Sequence, residues 1–219
     1  MATNVNFFRT LSQNITKKVN AGNTTTTEEF TNLSNAAQLL KLSNDYETFV
    51  KTKVISNYLQ TFLKTDQVFS VNPNNPIVPY PSDYQYMSSV GSYYDGTQID
   101  CQLVDNADWR EMLRPNSLNY PTKRFPKYQQ KDDGVLFAPK DIGTIYFDYF
   151  KTPIVPVWGY TIVNNRQVYD PTTSVDFEWD NFALNEIMAI YLQFIGISLK
   201  DTEIAAYAAQ YTQETNLTI

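Results

Sequence analysis

Asp176, Glu178, Asp180 and Glu186 lie close together around Phe177, Trp179 and Phe182 in the stretch SVDFEWDNFALNEI, residues 174–187. General acid and base work needs two carboxylates facing one substrate volume, in environments that separate their pKa values. A carboxylate hydrolase is therefore the first chemistry to weigh. The spacing offers a second reading. Val175, Phe177 and Trp179 alternate with Asp176 and Glu178, so on a strand three apolar side chains face one way and two carboxylates the other. Such a pair could be a solvated or salt-bridged face, an active pair, or one side of a metal-linked subunit contact. Asp180 precedes NFALNEIMAIYLQFIG and has the chemistry of a helix N-cap, with Gly196 suited to the C-terminal cap. Phe177, Trp179, Asp180, Phe182 and Gly196 are then a structural junction between strand and helix.

The rest of the composition narrows the chemistry. The chain has 219 residues and no histidine, which removes Ser-His-Asp and Cys-His nucleophiles, histidine bases and mixed zinc sites. Cys101 is the sole cysteine, so no intrachain disulfide or cysteine cluster can form, and a buried thiol is expected. The formal charge of −6 argues against a dedicated nucleic-acid binder. No phosphate-cradling glycine loop, dinucleotide fingerprint or calcium loop is present, so no cofactor and no metal is expected. No stretch has the length and hydropathy of a membrane span or a signal core, and a protein made and assembled inside a cell is expected.

The elements that must position these residues separate into three regions. Residues 1–67 read as N-terminal helices: one over about 4–20 with Phe7, Phe8, Leu11, Ile15 and Val19 on one face, then a helix capped by Thr27 with Glu28 and Glu29 in its first turn. Phe30, Leu33, Ala37 and Leu40 form its apolar stripe. Residues 68–179 read as a β-rich insert, with a short helix near 105–114 capped by Asp105 or Asn106 and presenting Trp109. Pro73, Pro76, Pro79 and Pro81 exclude helix at its start. Asp133-Gly134 and Asn164-Asn165 mark hairpins, and Thr144–Phe150 carries aromatics on both faces. Residues 180–219 read as C-terminal helices, the last from about Asp201. The fold class is α+β: terminal helices packed as a bundle, with about five to seven mainly antiparallel strands projecting from it as a central region.

A second candidate site is basic. Arg110, Arg114, Lys123, Arg124, Lys127 and Lys131 are accompanied by one acid, Glu111, whereas residues 180–219 are acidic. With Tyr120, Phe125 and Tyr128 among them, these residues could form a subunit or neck interface, a weak positive ring at a lumen, or a solvated loop.

The residues also resemble a family of neck proteins from tailed phages of the Bacteroides and Flavobacterium group, including crAss-like phages. The resemblance runs through ITKKVNAGNTTTTEEFTNLSNAAQLLKL, where Lys18, Gly22, Thr27, Glu29, Phe30 and Ala37-Gln38 hold the recognisable positions and Thr31 replaces the usual asparagine. It continues through LRPNSLNYPTKRFPKY, GVLFAPKDIGTIYFDYFKTPIVPVWGY and TSVDFEWDNFALNEIMAIYLQFIGISLKDTEIAAYAAQY. It implies a non-enzymatic head-to-tail connector, an adaptor stacked below the portal and forming a roughly twelve-fold ring with itself. The implied partners are the portal protein, an adjacent neck ring, tail or fibre proteins, and genomic DNA passing through without sequence-specific binding; no membrane is involved. The implied place is the portal vertex of the virion, after assembly in the host cytoplasm. A tail-fibre or cargo-docking adaptor is the alternative.

Overall fold

The computed structural model describes residues 4–19, 25–114 and 117–198; the side chains of 17–19, 197 and 198 are not described. The helices are α1 (Val5–Val19), α2 (Thr27–Thr52), α3 (Asn57–Gln60), α4 (Asn106–Met112) and α5 (Asn181–Ser198). The strands are β1 (Leu63–Ser70), β2 (Ile77–Val78), β3 (Tyr84–Tyr94), β4 (Thr97–Asp100), β5 (Gln102–Leu103), β6 (Lys127–Lys131), β7 (Gly134–Ala138), β8 (Thr144–Lys151), β9 (Tyr160–Val163) and β10 (Arg166–Tyr169). The fold is α+β, with N- and C-terminal helices in contact and a mostly antiparallel central β region. The chain forms two compact units: one reaches to Thr61 and resumes at Pro153, and the other is Phe62–Thr152.

The helical unit begins where local chemistry starts each helix. Asn4 accepts the amides of Asn6 and Phe7 at the head of α1. Thr26, not Thr27, caps α2, because Glu29 three residues on returns its carboxylate to the Thr26 amide in a capping box. The helix then runs unbroken until Lys53 takes a left-handed conformation. Phe8, Phe30, Phe177 and Tyr191 form the aromatic centre, with ring centroids 4.8–6.1 Å apart. Hairpin β9–β10 belongs to this unit, and Asn164 and Asn165 both adopt positive φ at its turn.

The burial of α1 departs from its apolar stripe. Val5, Phe8, Arg9, Ser12 and Thr16 are buried, while Phe7 is 63% exposed and Leu11 is exposed as well. A stacked guanidinium explains the rotation: Arg9 lies 3.8 Å over the Trp158 ring and donates to Thr27 Oγ1. In α2 the buried set similarly includes Ser34, Gln38 and Lys41, and Leu40 is exposed. The helix expected to end at Gly196 continues to Ser198 with Gly196 buried inside it, where glycine costs about 1 kcal/mol relative to alanine.

The second unit packs two four-stranded sheets face to face, β1-β8-β3-β4 and β2-β7-β6-β5. Ile145, Phe147 and Tyr149 of β8 and Val90 of β3 meet Tyr128, Val135 and Phe137 from the other sheet. On β7 the alternate residues Leu136 and Ala138 face Trp109 and Met112 of α4, so this sheet is covered on both sides. Tyr146 and Phe150 are also buried, so both sides of β8 are covered, in line with its two aromatic faces. Asp148 accepts the Asp66 amide and the Ser89 hydroxyl, pinning the irregularities in β1 and β3 on either side of β8.

Three boundaries differ from the sequence expectation. β1 begins at Leu63, inside the stretch expected to be helical, and residues 153–179 group with the terminal helices. The β6–β7 turn is Asp132-Asp133, and Gly134 already opens β7. A glycine is needed there because a Cβ would lie 2.2 Å from the Val78 carbonyl oxygen of β2. Ten strands are present among the described residues, since two-residue strands such as β2 and β5 carry no readable alternation. The expected lead-in at 20–24, the Pro115 stop and the helix from Asp201 lie outside the described residues.

Gly134→Ala forces β2 away from β7 and is expected to destabilise the protein by about 2–3 kcal/mol, read as a lower urea midpoint; an unchanged midpoint would show that β2 yields freely.

Candidate functional site

The four acids of 174–187 each have a structural partner. Asp176 accepts the Val5 amide at 2.8 Å, at the start of α1. Glu178 accepts the Ile154 amide at 2.9 Å. Asp180 accepts the Ala183 amide at 2.8 Å as the cap of α5, with Leu184 donating to its carbonyl. Glu186 pairs with Lys41 at 2.7 Å. Asp176 and Glu178 are half-buried instead of forming a solvated face, because each satisfies a main-chain donor that its own segment leaves unpaired. Phe177 and Trp179 are buried, Val175 bridges Val157, and Phe182 is 74% exposed.

Lys41 was not marked by sequence reasoning, although its i,i+4 relation to Asp45 was a visible cue. It sits between Asp45 and Glu186 with 7% of its side chain exposed. Burial disfavours the ammonium, but Asp45 and then Glu186 outweigh that and hold its pKa above the ordinary 10.5. Burial pushes Asp45 up further than Lys41 draws it down.

The basic stretch is dispersed over different environments. Lys123 pairs with Asp141 at 3.0 Å, Arg124 lies 5.5 Å from the ring of Phe125, and Arg114 is 3.5 Å from Glu111. Tyr120 and Phe125 are exposed, as is Arg110 in the last turn of α4; Lys131 is half-buried at the end of β6. Tyr128, expected in the exposed run, is a core side chain between the two sheets. Lys127 is buried too, and with Arg114 it lines an open cleft of about 730 Å³ beside α4 and β5. Its other lining residues, including Leu103, Asp108 and Glu111, were not singled out, because β5 is too short to announce an edge strand. Among the described residues, no three His, Cys, Asp or Glu side chains are grouped to hold a metal ion, and no helix is long and apolar enough to cross a membrane.

Lys41→Met leaves two carboxylates facing an apolar side chain and is expected to cost about 3 kcal/mol. Because the folded pKa of Lys41 is raised, its contribution is lost as pH rises from 10.5 through the folded value, so the difference between wild type and variant in urea titrations should shrink in that alkaline range, and again in acid as the Asp45 carboxyl, raised above its ordinary 3.8, takes up a proton.

Lys123 holds the Asp141 carboxyl below its ordinary 3.8 through a side-chain hydrogen bond. Lys123→Ala should move the Asp141 midpoint up towards 3.8 in a carboxyl NMR titration; an unmoved midpoint would remove the ion pair in solution.

The chain matches no family model, and no curated protein matches it.

Proposed function

We propose that the chain is a structural, ring-forming subunit of a head-to-tail connector in a tailed phage. Its partners are then further copies of itself, the portal protein and the adjoining neck or tail components, with the genome passing through the lumen. The sequence resemblance supplies the connector identity. One structural observation carries the assembly part: apolar side chains stay outside the helical unit while polar ones are buried within it. Phe7 is 63% exposed and Phe182 74%. Hairpin β9–β10 is a two-stranded sheet of its own whose residues are mostly exposed, and Ile162 is 70% exposed beside Val163 and Val168. Tyr160 and Tyr169 at the base of the hairpin pack on Trp158, while Ile162, Val163 and Val168 are left for a contact outside the unit.

Divided between the hairpin and the helix side, these side chains expose apolar surface on the order of 300 Å² each, the apolar part of a standard interface of about 800 Å² per partner. A ring needs two different surfaces on each subunit that fit one another. The exposed hairpin and the exposed side of α1 are two such surfaces on one unit. The acidic balance of −6 suits DNA transit better than DNA retention.

Two measurements test the reading. Particle reconstruction should place the chain in a closed ring on the portal–tail axis; a position away from that axis overturns the connector role. In solution, Ile162→Asp combined with Val168→Asp should weaken self-association by about tenfold or more in mass photometry, with the urea midpoint little changed. Undiminished assembly would remove the hairpin from the contact.

A further inference from the structure

The polar interior of the helical unit contains two neighbouring buried donors without partners. Arg9 is 5% exposed, and among the described residues its only hydrogen bond runs from Nη1 to Thr27 Oγ1 at 3.2 Å. Its Nε–H is buried and has no partner. The Tyr191 hydroxyl is buried beside Thr25, Ser12 and Arg9, and it has none either. Among the described residues no carboxylate pairs with the guanidinium. Burial lowers the Arg9 pKa, and the groups that oppose this shift are Tyr191 and Tyr160, not an acid. A guanidinium removed from water without a counter-charge carries a desolvation cost that an anion offsets.

The surroundings restrict where that anion sits and which kind it is. The Trp158 ring covers a face of the guanidinium, its centroid 3.8 Å from the central carbon, and the Phe30 ring lies 5.5 Å away. Nη1 is taken by Thr27, so the in-plane edge at Nε is the side left for a ligand. Thr27 is also the first residue of α2, a helix of 26 residues whose N-terminal turn carries a partial positive charge. Glu28 and Glu29 stand in that same turn and oppose a multiply charged anion. Burial further requires the ligand to leave its water behind, at a cost that rises steeply with charge. A small monovalent anion meets both conditions.

We infer that the helical unit binds a halide ion, chloride in ordinary salt solutions, held between the Arg9 Nε–H and the Tyr191 hydroxyl at the head of α2. The ion joins α1 to α5 beside the aromatic centre and supplies the counter-charge of Arg9. It is independent of the connector reading, since neither the exposed hairpin side chains nor a ring takes part.

The test uses the full chain at constant ionic strength, with sodium chloride exchanged for sodium gluconate. A tenfold excess of chloride over its dissociation constant should raise the melting temperature by about 3–5 °C, and bromide should act in the same concentration range. In crystals grown with bromide, an anomalous peak should lie between Arg9 Nε and the Tyr191 hydroxyl. Tyr191→Phe keeps the ring and removes the donor, so chloride should bind about tenfold more weakly. Arg9→Met should abolish the chloride dependence.

Equal melting temperatures in chloride and gluconate overturn the assignment and leave the two donors to water. A bromide peak elsewhere with none at Arg9 overturns it too, as does an unchanged chloride dependence in either variant. Acetate stabilising at lower concentrations than chloride would replace the halide with a carboxylate. If Arg9→Met does not fold, the wild-type titration, the bromide peak and Tyr191→Phe decide the matter.

Discussion

The helical unit depends on carboxylates from one short segment that satisfy groups donated by three others and by the start of its own helix. Asp176 reaches the first amide of α1, Glu178 the chain at Ile154, Asp180 the first turn of α5, and Glu186 the ammonium of Lys41 on α2. Helix starts and irregular segments leave amides that must find acceptors, and burial raises the cost of leaving them unmet. Beneath these bonds Phe177 is wholly buried against Phe8, so the same segment supplies both the polar ties and part of the aromatic core. Val5 and Asp176 are 171 positions apart, so this contact closes the unit across the intervening sheet region in the sequence.

That arrangement also explains the polar interior of the helices. With Arg9 stacked on Trp158 and Lys41 held between two acids, α1 and α2 are turned so that polar side chains lie inside. Arg9, Gln38 and Lys41 each make a directed contact, to Thr27, Ile154 and Asp45, which restricts the packing more sharply than interchangeable apolar side chains do. The apolar groups displaced from the interior, Phe7 and Leu40 among them, become available surface. In the β unit the pattern is conventional: alternating residues of β7 and β8 fill the space between two sheets and beneath α4.

Much of the local structure could be read before any coordinates. A cap at Asp105 or Asn106, the Asn164-Asn165 turn, the extended proline segment and the two-faced β8 follow from side-chain chemistry acting within a few residues, and the structure selects Asp105. Other features could not be read in this way. The cap moved from Thr27 to Thr26 because four successive threonines offer the same hydroxyl and only the return of Glu29 selects one. Lys127 and Tyr128 looked like members of an exposed basic and aromatic run. They are buried on opposite faces of one strand, and neither partner sheet nor α4 is announced by the run itself.

The amino-acid order alone therefore settled the α+β class, the absence of histidine chemistry, the helix before Pro115 and the acid that begins α5. These depend on composition or on neighbours in the chain. The tertiary arrangement assigned Asp176 to Val5, Glu186 to Lys41, Gly134 to the carbonyl of Val78 and Lys127 to its cleft. Those assignments join residues far apart in sequence. A carboxylate or lysine has no local preference that distinguishes a solvated surface from a distant amide or the wall of a cleft, and burial makes that distinction only once the chain has packed.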